Sequence, residues 1–321
     1  MGALWNTQSV KKGFDKKGLG TVRVEYGLGR KRGESMRNVL VTGATGFLGR
    51  ELSQRLMRMG YRVVGLTREL RDDLAVVPMV GDLLKADDFS GPDLPFDAII
   101  HCAGHHPGET DQVEALHEEG TRRMVLEAQR RGITRFIYIS AMGAGFHAPT
   151  RFQQSKWVGE QVVVNSGLEY TILRPHLMFG QGSRTFRRLE ESANRPWAVL
   201  PESKPLIQPV YVGDVAEIAV RSLWLDRTIG QIYDIGGPQS MKLEDVVRHI
   251  ARDIHLFRIL TFHVPKRYAF YLLNKIGRVG PILSGEEWGF LQHEITRQDS
   301  RWLIDYGILP HSLAIYYSPL T

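Results

Sequence analysis

From Arg37 onward the chain alternates short β-branched runs with stretches of helical periodicity. Asn38–Thr42 (N-V-L-V-T) reads as a strand that runs into a glycine turn. Between Phe47 and Met59, the residues Leu48, Leu52, Leu56 and Met59 fall on one face of a helix, and Gly60 suits the stop that follows it. Further strands are predicted over Tyr61–Leu66, Ala75–Val80, Phe96–Cys102, Thr134–Ser140 and Glu169–Arg174. Helices are predicted over Glu114–Arg131 and Gln153–Asn165. Strands that alternate with helices need crossover connections, so the pattern implies a parallel sheet covered on both faces, a doubly wound α/β fold.

After Pro175 the regularity loosens. Residues 181–207 are polar and interrupted by Pro196, Pro201 and Pro205. Pro209–Val212 reads as a short extended piece. Asp214 is then the expected N-cap of a helix, with Glu217 three residues on and Val215, Ile218, Ala219 and Leu223 as its apolar face. Gln231–Ile235 is a strand closed by Gly236 and Gly237. The remainder is mixed, with an apolar stretch over Tyr268–Ile282 and a helical piece over Glu286–Ile295. The expected organisation is a dinucleotide-binding domain over 36–180, to which 208–235 return, and a small lobe made of 181–207 and 236–321.

Charge changes this picture at one end only. The formal net charge is +6, but residues 1–35 carry eight Lys/Arg against three Asp/Glu, and the rest of the chain carries 33 against 32. The excess therefore belongs to a Gly/Lys-rich leader and argues against a nucleic-acid surface on the folded part. Such a segment buries too little apolar surface to offset its ordering entropy, so 1–35 is expected to be disordered, with Met36 as a natural start. One cysteine, Cys102, excludes an internal disulfide framework and a multi-cysteine metal site. No apolar run reaches eighteen residues, so the expected setting is cytoplasmic, or peripheral to a membrane.

The chemistry sits in V-T-G-A-T-G-F-L-G, residues 41–49, between the first strand and the first helix. Gly43 permits a tight turn, Gly46 lets backbone approach a pyrophosphate, and Gly49 allows helix to pack on strand. The helix N-terminus then offers free N–H groups to phosphate. Thr45, Phe47 and Leu48 complete the candidate phosphate cradle. The tip of the second strand holds Thr67 and Arg68, with no carboxylate to bond a ribose 2′-hydroxyl; Glu69 comes one place late. An arginine there can pair with a 2′-phosphate, which favours NADP(H), with NAD(H) as the alternative.

These residues, with G-D-L at 81–83, H-C-A-G at 101–104, E-G-T at 119–121, S-K-W-V-G-E at 155–160, L-R-P at 173–175, V-G-D-V-A at 212–216 and D-I-G-G-P at 234–238, resemble the extended short-chain dehydrogenase/reductases, which share the Rossmann fold. The pattern is most similar to an atypical branch of the NAD-dependent epimerase/dehydratase superfamily, the branch of the nucleotide-binding accessory subunit of respiratory complex I. The resemblance implies that Asp82 and Leu83 line the adenine, that Ala103 and Gly104 lie along the cofactor, and that Pro175 sits beside the nicotinamide. It also implies that Lys156 bonds the nicotinamide ribose, and it makes Ser140 a candidate for the family's catalytic serine.

One position breaks the pattern. The family's acid–base motif is Y-x-x-x-K, and here it reads F-Q-Q-S-K, so Phe152 stands where a tyrosine would give its proton. His117 replaces the asparagine usual before E-G-T. His105, His106, His147 and Tyr138 are the candidate substitute donors. Two readings stay open: an oxidoreductase with a non-standard site acting on a lipophilic or quinone-like molecule, or a non-catalytic dinucleotide-binding protein that works in assembly of a membrane redox complex or as a redox sensor. Residues 264–283, where aromatic and aliphatic residues mix with Lys266, Arg267, Lys275 and Arg278, read either as a basic amphipathic helix on a membrane or partner, or as a core helix with snorkelling ends.

Overall fold

The computed structural model describes residues 9–14, 20–25, 38–70, 75–85, 89–104, 113–195, 197–201, 205–255, 259–264, 287, 289–290 and 300–317. By internal contacts the chain divides into Met1–Met36 and Arg37–Thr321. In the first unit, β1 (Ser9–Phe14) and β2 (Gly20–Glu25) pair antiparallel, Ser9 opposite Glu25. This departs from the disorder expected for 1–35: G-T-V-R-V-E has the period-two alternation of a strand, which a reading by net charge overlooks.

The second unit is built on seven parallel strands. In chain order they are β3 (Asn38–Thr42), β4 (Arg62–Thr67), β5 (Val77–Val80), β6 (Ala98–His101), β7 (Arg135–Ile139), β8 (Glu169–Pro175) and β12 (Gln231–Ile235). Across the sheet they run β12-β8-β7-β6-β3-β4-β5. The chain therefore starts in the middle, winds outward through β4 and β5, then reverses past β3 to β6. Nearly every residue of the central strands is buried, as a sheet covered on both faces requires. One cover holds α1 (Phe47–Arg58) and α6 (Val212–Ser222), whose Leu48, Leu52, Leu56, Val215, Ile218 and Ala219 share one apolar cluster. The other holds α3 (Thr121–Arg130) and α4 (Arg151–Val164), packed through Met124, Val125, Ala128 and Val163.

Three local expectations change. The helix expected over Glu114–Arg131 is divided: α2 (Val113–Ala115), then a π turn over Leu116–Gly120, then α3. A π turn is a single i→i+5 turn inside an otherwise helical stretch, too short for apolar periodicity to reveal. Asp214 is not the cap of α6. The helix begins at Val212 after Tyr211, and the Asp214 carboxylate instead accepts from the backbone N–H of His311 at 2.7 Å and pairs with its Nδ1 at 2.6 Å. The stretch 181–207 is more regular than its prolines suggest. It holds α5 (Arg184–Ala193), capped by Ser183, and β10 (Trp197–Pro201), which pairs parallel with β13 (Leu260–Val264).

A second core lies beyond the sheet. Phe186 and Leu189 of α5, Leu200 of β10, and Val246, Val247 and Ile250 of α7 (Leu243–His255) are buried together. β9 (Met178–Phe179) and β11 (Val210–Tyr211) pair in parallel and connect this region to the sheet. The apolar stretch Tyr268–Ile282 lies outside the described residues, as does most of Glu286–Ile295. No helix among the described residues is long and apolar enough to cross a membrane.

Candidate dinucleotide site

The reversal of strand order between β3 and β6 opens a crevice at their carboxyl ends, the place where doubly wound sheets take ligands. Thr42 and His101 end these strands opposite each other. Thr42 ties the two ends together: its Oγ1 bonds His101 Nδ1 at 2.7 Å and accepts from Ala103 N at 3.1 Å, and its carbonyl accepts from Cys102 Sγ at 2.8 Å. Burial, aided by the nearby Lys156 charge, lowers the His101 pKa to about 3, so the ring is neutral. Burial pushes the pKa of the Cys102 thiol, which also lines the cavity described below, up to about 12.

The glycine turn fits a pyrophosphate. Gly43 has φ +69°, and a Cβ there would lie 2.9 Å from Ala103 backbone. A Cβ on Gly49 would lie 2.0 Å from the Gly43 carbonyl, so the first turn of α1 packs against the turn with no room for a side chain. Gly46 is different. A Cβ there would meet only the Gly43 oxygen, at 3.1 Å, and Gly46 lines a cavity of about 940 Å³. Its missing side chain therefore leaves space on the ligand side, above the open N–H groups of α1.

The same cavity is lined by Gly43, Thr45, Phe47, Leu48, Gly49, Gly104, Ser140, Phe152, Lys156 and Pro175. Lys156, on α4, is 5 % exposed, and its Nζ donates to the Ile139 carbonyl at 3.0 Å. The ammonium also lies over the Tyr138 ring, 5.4 Å from its centroid, and it lines the cavity with donors to spare for ribose hydroxyls. Burial lowers its pKa to about 8. Ser140 donates to Glu160, whose carboxylate is fully buried and takes two bonds from Arg174. The serine hydroxyl is thus committed to a structural ion pair.

Phe152 lies on the first turn of α4, with its ring edge-on to His117 at 5.5 Å and to Phe290 at 6.1 Å between centroids. Ser155 donates to the Phe152 carbonyl at 2.9 Å, so its oxygen accepts from His117 Nδ1, also at 2.9 Å. This fixes the tautomer with the proton on Nδ1. His117 Nε2 and Lys156 Nζ converge on Gly104: a Cβ on that residue would lie 3.0 and 3.2 Å from them. The histidine was visible in the sequence as a departure from the asparagine pattern. The π turn that buries it beside Lys156 was not.

Other expected residues stand apart from the cavity. Arg68 is exposed just past the end of β4, and Leu83 is buried under the sheet. The Asp82 carboxylate accepts from Leu84 N at 2.9 Å, an Asx turn. Ala103 neighbours the lining without joining it. Of the substitute donors, Tyr138 is fully buried, with its phenol pushed well above its usual range by burial, and His147 is exposed against Phe146. Neither lines the cavity. His105 and His106 lie outside the described residues. No cluster of metal ligands exists among the described residues. Sequence reasoning missed the Glu160–Arg174 pair, although S-K-W-V-G-E and L-R-P contain both residues.

Residues 39–236 match the model of the NAD dependent epimerase/dehydratase family. The chain is 29 % identical over 289 residues to the mitochondrial NADH dehydrogenase [ubiquinone] 1 alpha subcomplex subunit 9 of Arabidopsis thaliana, covering 81 % of this chain and 70 % of the relative. It is 28 % identical over 216 residues to the photosystem II assembly factor Ycf39 of Guillardia theta, covering 66 % and 68 %. Its fold is similar to that of the NADPH-dependent quinone oxidoreductase QOR2 of Escherichia coli, solved with NADPH, with a TM-score of 0.67 at 15 % identity over 87 % of this chain and 98 % of that one.

Proposed function

Because the chain belongs to the NAD dependent epimerase/dehydratase family and lacks that family's phenol, we propose that it is a dinucleotide-binding protein that holds its nucleotide without the usual acid–base step. The observation that carries this is Phe152: its ring packs against His117 and Phe290 beside Lys156 and has no proton to give. The glycine turn and Lys156 support tight binding. Ser140, spent on Glu160, offers no second hydroxyl. When bound, the nucleotide would supply hydride chemistry; the residues of this chain bind and orient it.

The nucleotide is NADP(H). Arg68 at the tip of β4, with no strand-end carboxylate, supports this choice over NAD(H). The work of the loaded protein is assembly or stabilisation of a membrane redox complex, at which it sits peripherally. This rests on the relatives, which include a subunit of NADH dehydrogenase [ubiquinone] and a photosystem II assembly factor. The sheet with its returning strand forms the nucleotide domain, joined by Trp302, Tyr306 and Ile308, which pack in its core, while α5, β10 and α7 carry the second core of the smaller lobe.

A second reading has its own support. Lys156 lines the cavity with a pKa lowered to about 8, within reach of proton transfer near neutral pH. On that reading the protein reduces a lipophilic, quinone-like molecule. Titration of the purified protein with NADPH and NADH, followed by assay with quinones and generic carbonyls, separates the two. The first reading expects one nucleotide bound per chain and no turnover. Quinone turnover would select the second, and no binding of either nucleotide would overturn both.

A further inference from the structure

We propose that Arg184 and Arg187 of α5 clamp the dinucleotide's pyrophosphate from the side opposite the glycine turn, so that the phosphates are held between two elements and not one. This rests on the dinucleotide site proposed above.

The helix is fixed by its other face. Phe186 and Leu189 are buried in the second core, and Ser183 caps the first turn by accepting from Phe186 N. Thr185 and Arg188 both bond the buried Glu287 carboxylate, at 2.9 and 2.7 Å. Residues three apart on a helix share a face. With 185, 186, 188 and 189 anchored, Arg184 and Arg187 are left exposed and line the cavity.

The turn before α5 sets where they point. Gly180 and Gly182 have φ of +140° and +94°, and a Cβ on Gly182 would lie 3.7 Å from the ring of Phe47, the first residue of α1. The start of α5 thus lies beside the start of α1, where the glycine turn leaves room for phosphate. The charge there is cationic. Arg50 also lines the cavity, and neither it nor Arg187 has a carboxylate partner among the described residues. The two acidic lining residues are already compensated, Glu51 by Arg55 and Arg58 and Glu287 by Arg188. Arginine bonds phosphate oxygens in forked geometry, so a pyrophosphate is the fitting ligand.

The test compares NADPH with 2′-AMP, which carries the adenine and the 2′-phosphate but no pyrophosphate. In the full chain, R184Q/R187Q is expected to weaken NADPH binding by roughly ten- to a hundredfold. It should leave 2′-AMP affinity unchanged, with any fall in Tm far smaller than the loss of NADPH binding, and R184K/R187K should recover part of the loss. NADPH binding within twofold of the parent protein would overturn the clamp while leaving the dinucleotide site standing. Equal loss for NADPH and 2′-AMP, or a fall in Tm matching the loss, would also overturn it. Failure of the parent protein to bind NADPH would instead sink the underlying site.

Discussion

The Ser140 hydroxyl donates to the Glu160 carboxylate, and that carboxylate, fully buried, is gripped through two bonds by Arg174. The contact joins the end of β7 to α4 and β8, so it stiffens the wall of the cavity that Lys156 lines.

Breaking a buried pair strands a charge, so Glu160→Ala should cost about 3–5 kcal/mol of stability. Ser140→Ala removes one neutral donor and should cost about 1 kcal/mol, with NADPH affinity unchanged. Urea denaturation with parallel nucleotide titration checks both. A large loss of affinity in Ser140→Ala at unchanged stability would return the serine to the cofactor.

Lys156 gives a pH dependence of defined sign. Its pKa is lowered in the folded protein to about 8 from 10.5, so between those values the unfolded chain binds more protons and stability rises with pH. Across that window the native protein should gain about 3 kcal/mol relative to Lys156→Met, which lacks the titration. Nucleotide affinity should move the other way, falling as the ammonium is lost above about pH 8. A parallel pH profile of Tm in the two proteins would refute the assignment.

Arg68 should set the cofactor. The native protein is expected to bind NADPH more tightly than NADH, and Arg68→Ala should erase the preference by weakening NADPH about tenfold while sparing NADH. NADH bound more tightly by the native protein, measured by fluorescence titration, would reverse the choice.

How much of this was legible in the sequence depends on the length of the signal. The strand-helix alternation and the turn at 41–49 are strong because buried parallel strands are apolar throughout and because Gly43 and Gly49 sit where any Cβ collides with backbone. The expected residues Gly46, Lys156, Phe152 and Pro175, far apart in the chain, do line one cavity. The π turn escaped because a single inserted residue is too local a change for apolar periodicity to register. Asp214 looked like a cap because an acidic residue near a helix start fits the capping pattern, whereas its partner, His311, is 97 residues away. Helix α5 was hidden by the neighbouring prolines, although Ser183, Phe186 and Leu189 carried its signature.

Residues 1–35 should be dispensable, since their charge balance stands apart and the chain divides by contacts at Met36. A chain starting at Met36 should bind NADPH with the same affinity and lose less than about 1 kcal/mol of stability by urea denaturation. A larger loss would assign the leader a structural role.

The central claim is that Phe152 disables the family's acid–base step while leaving the nucleotide site intact. Replacing it with Tyr puts a phenol one helical turn from Lys156. Steady-state NADPH oxidation with carbonyl substrates, compared between the native protein and Phe152→Tyr at matched nucleotide occupancy, tests this most directly. The account predicts negligible turnover in the native protein and a gain of roughly 10²- to 10⁴-fold in the variant, the usual worth of a placed proton donor. Robust turnover by the native protein would contradict it.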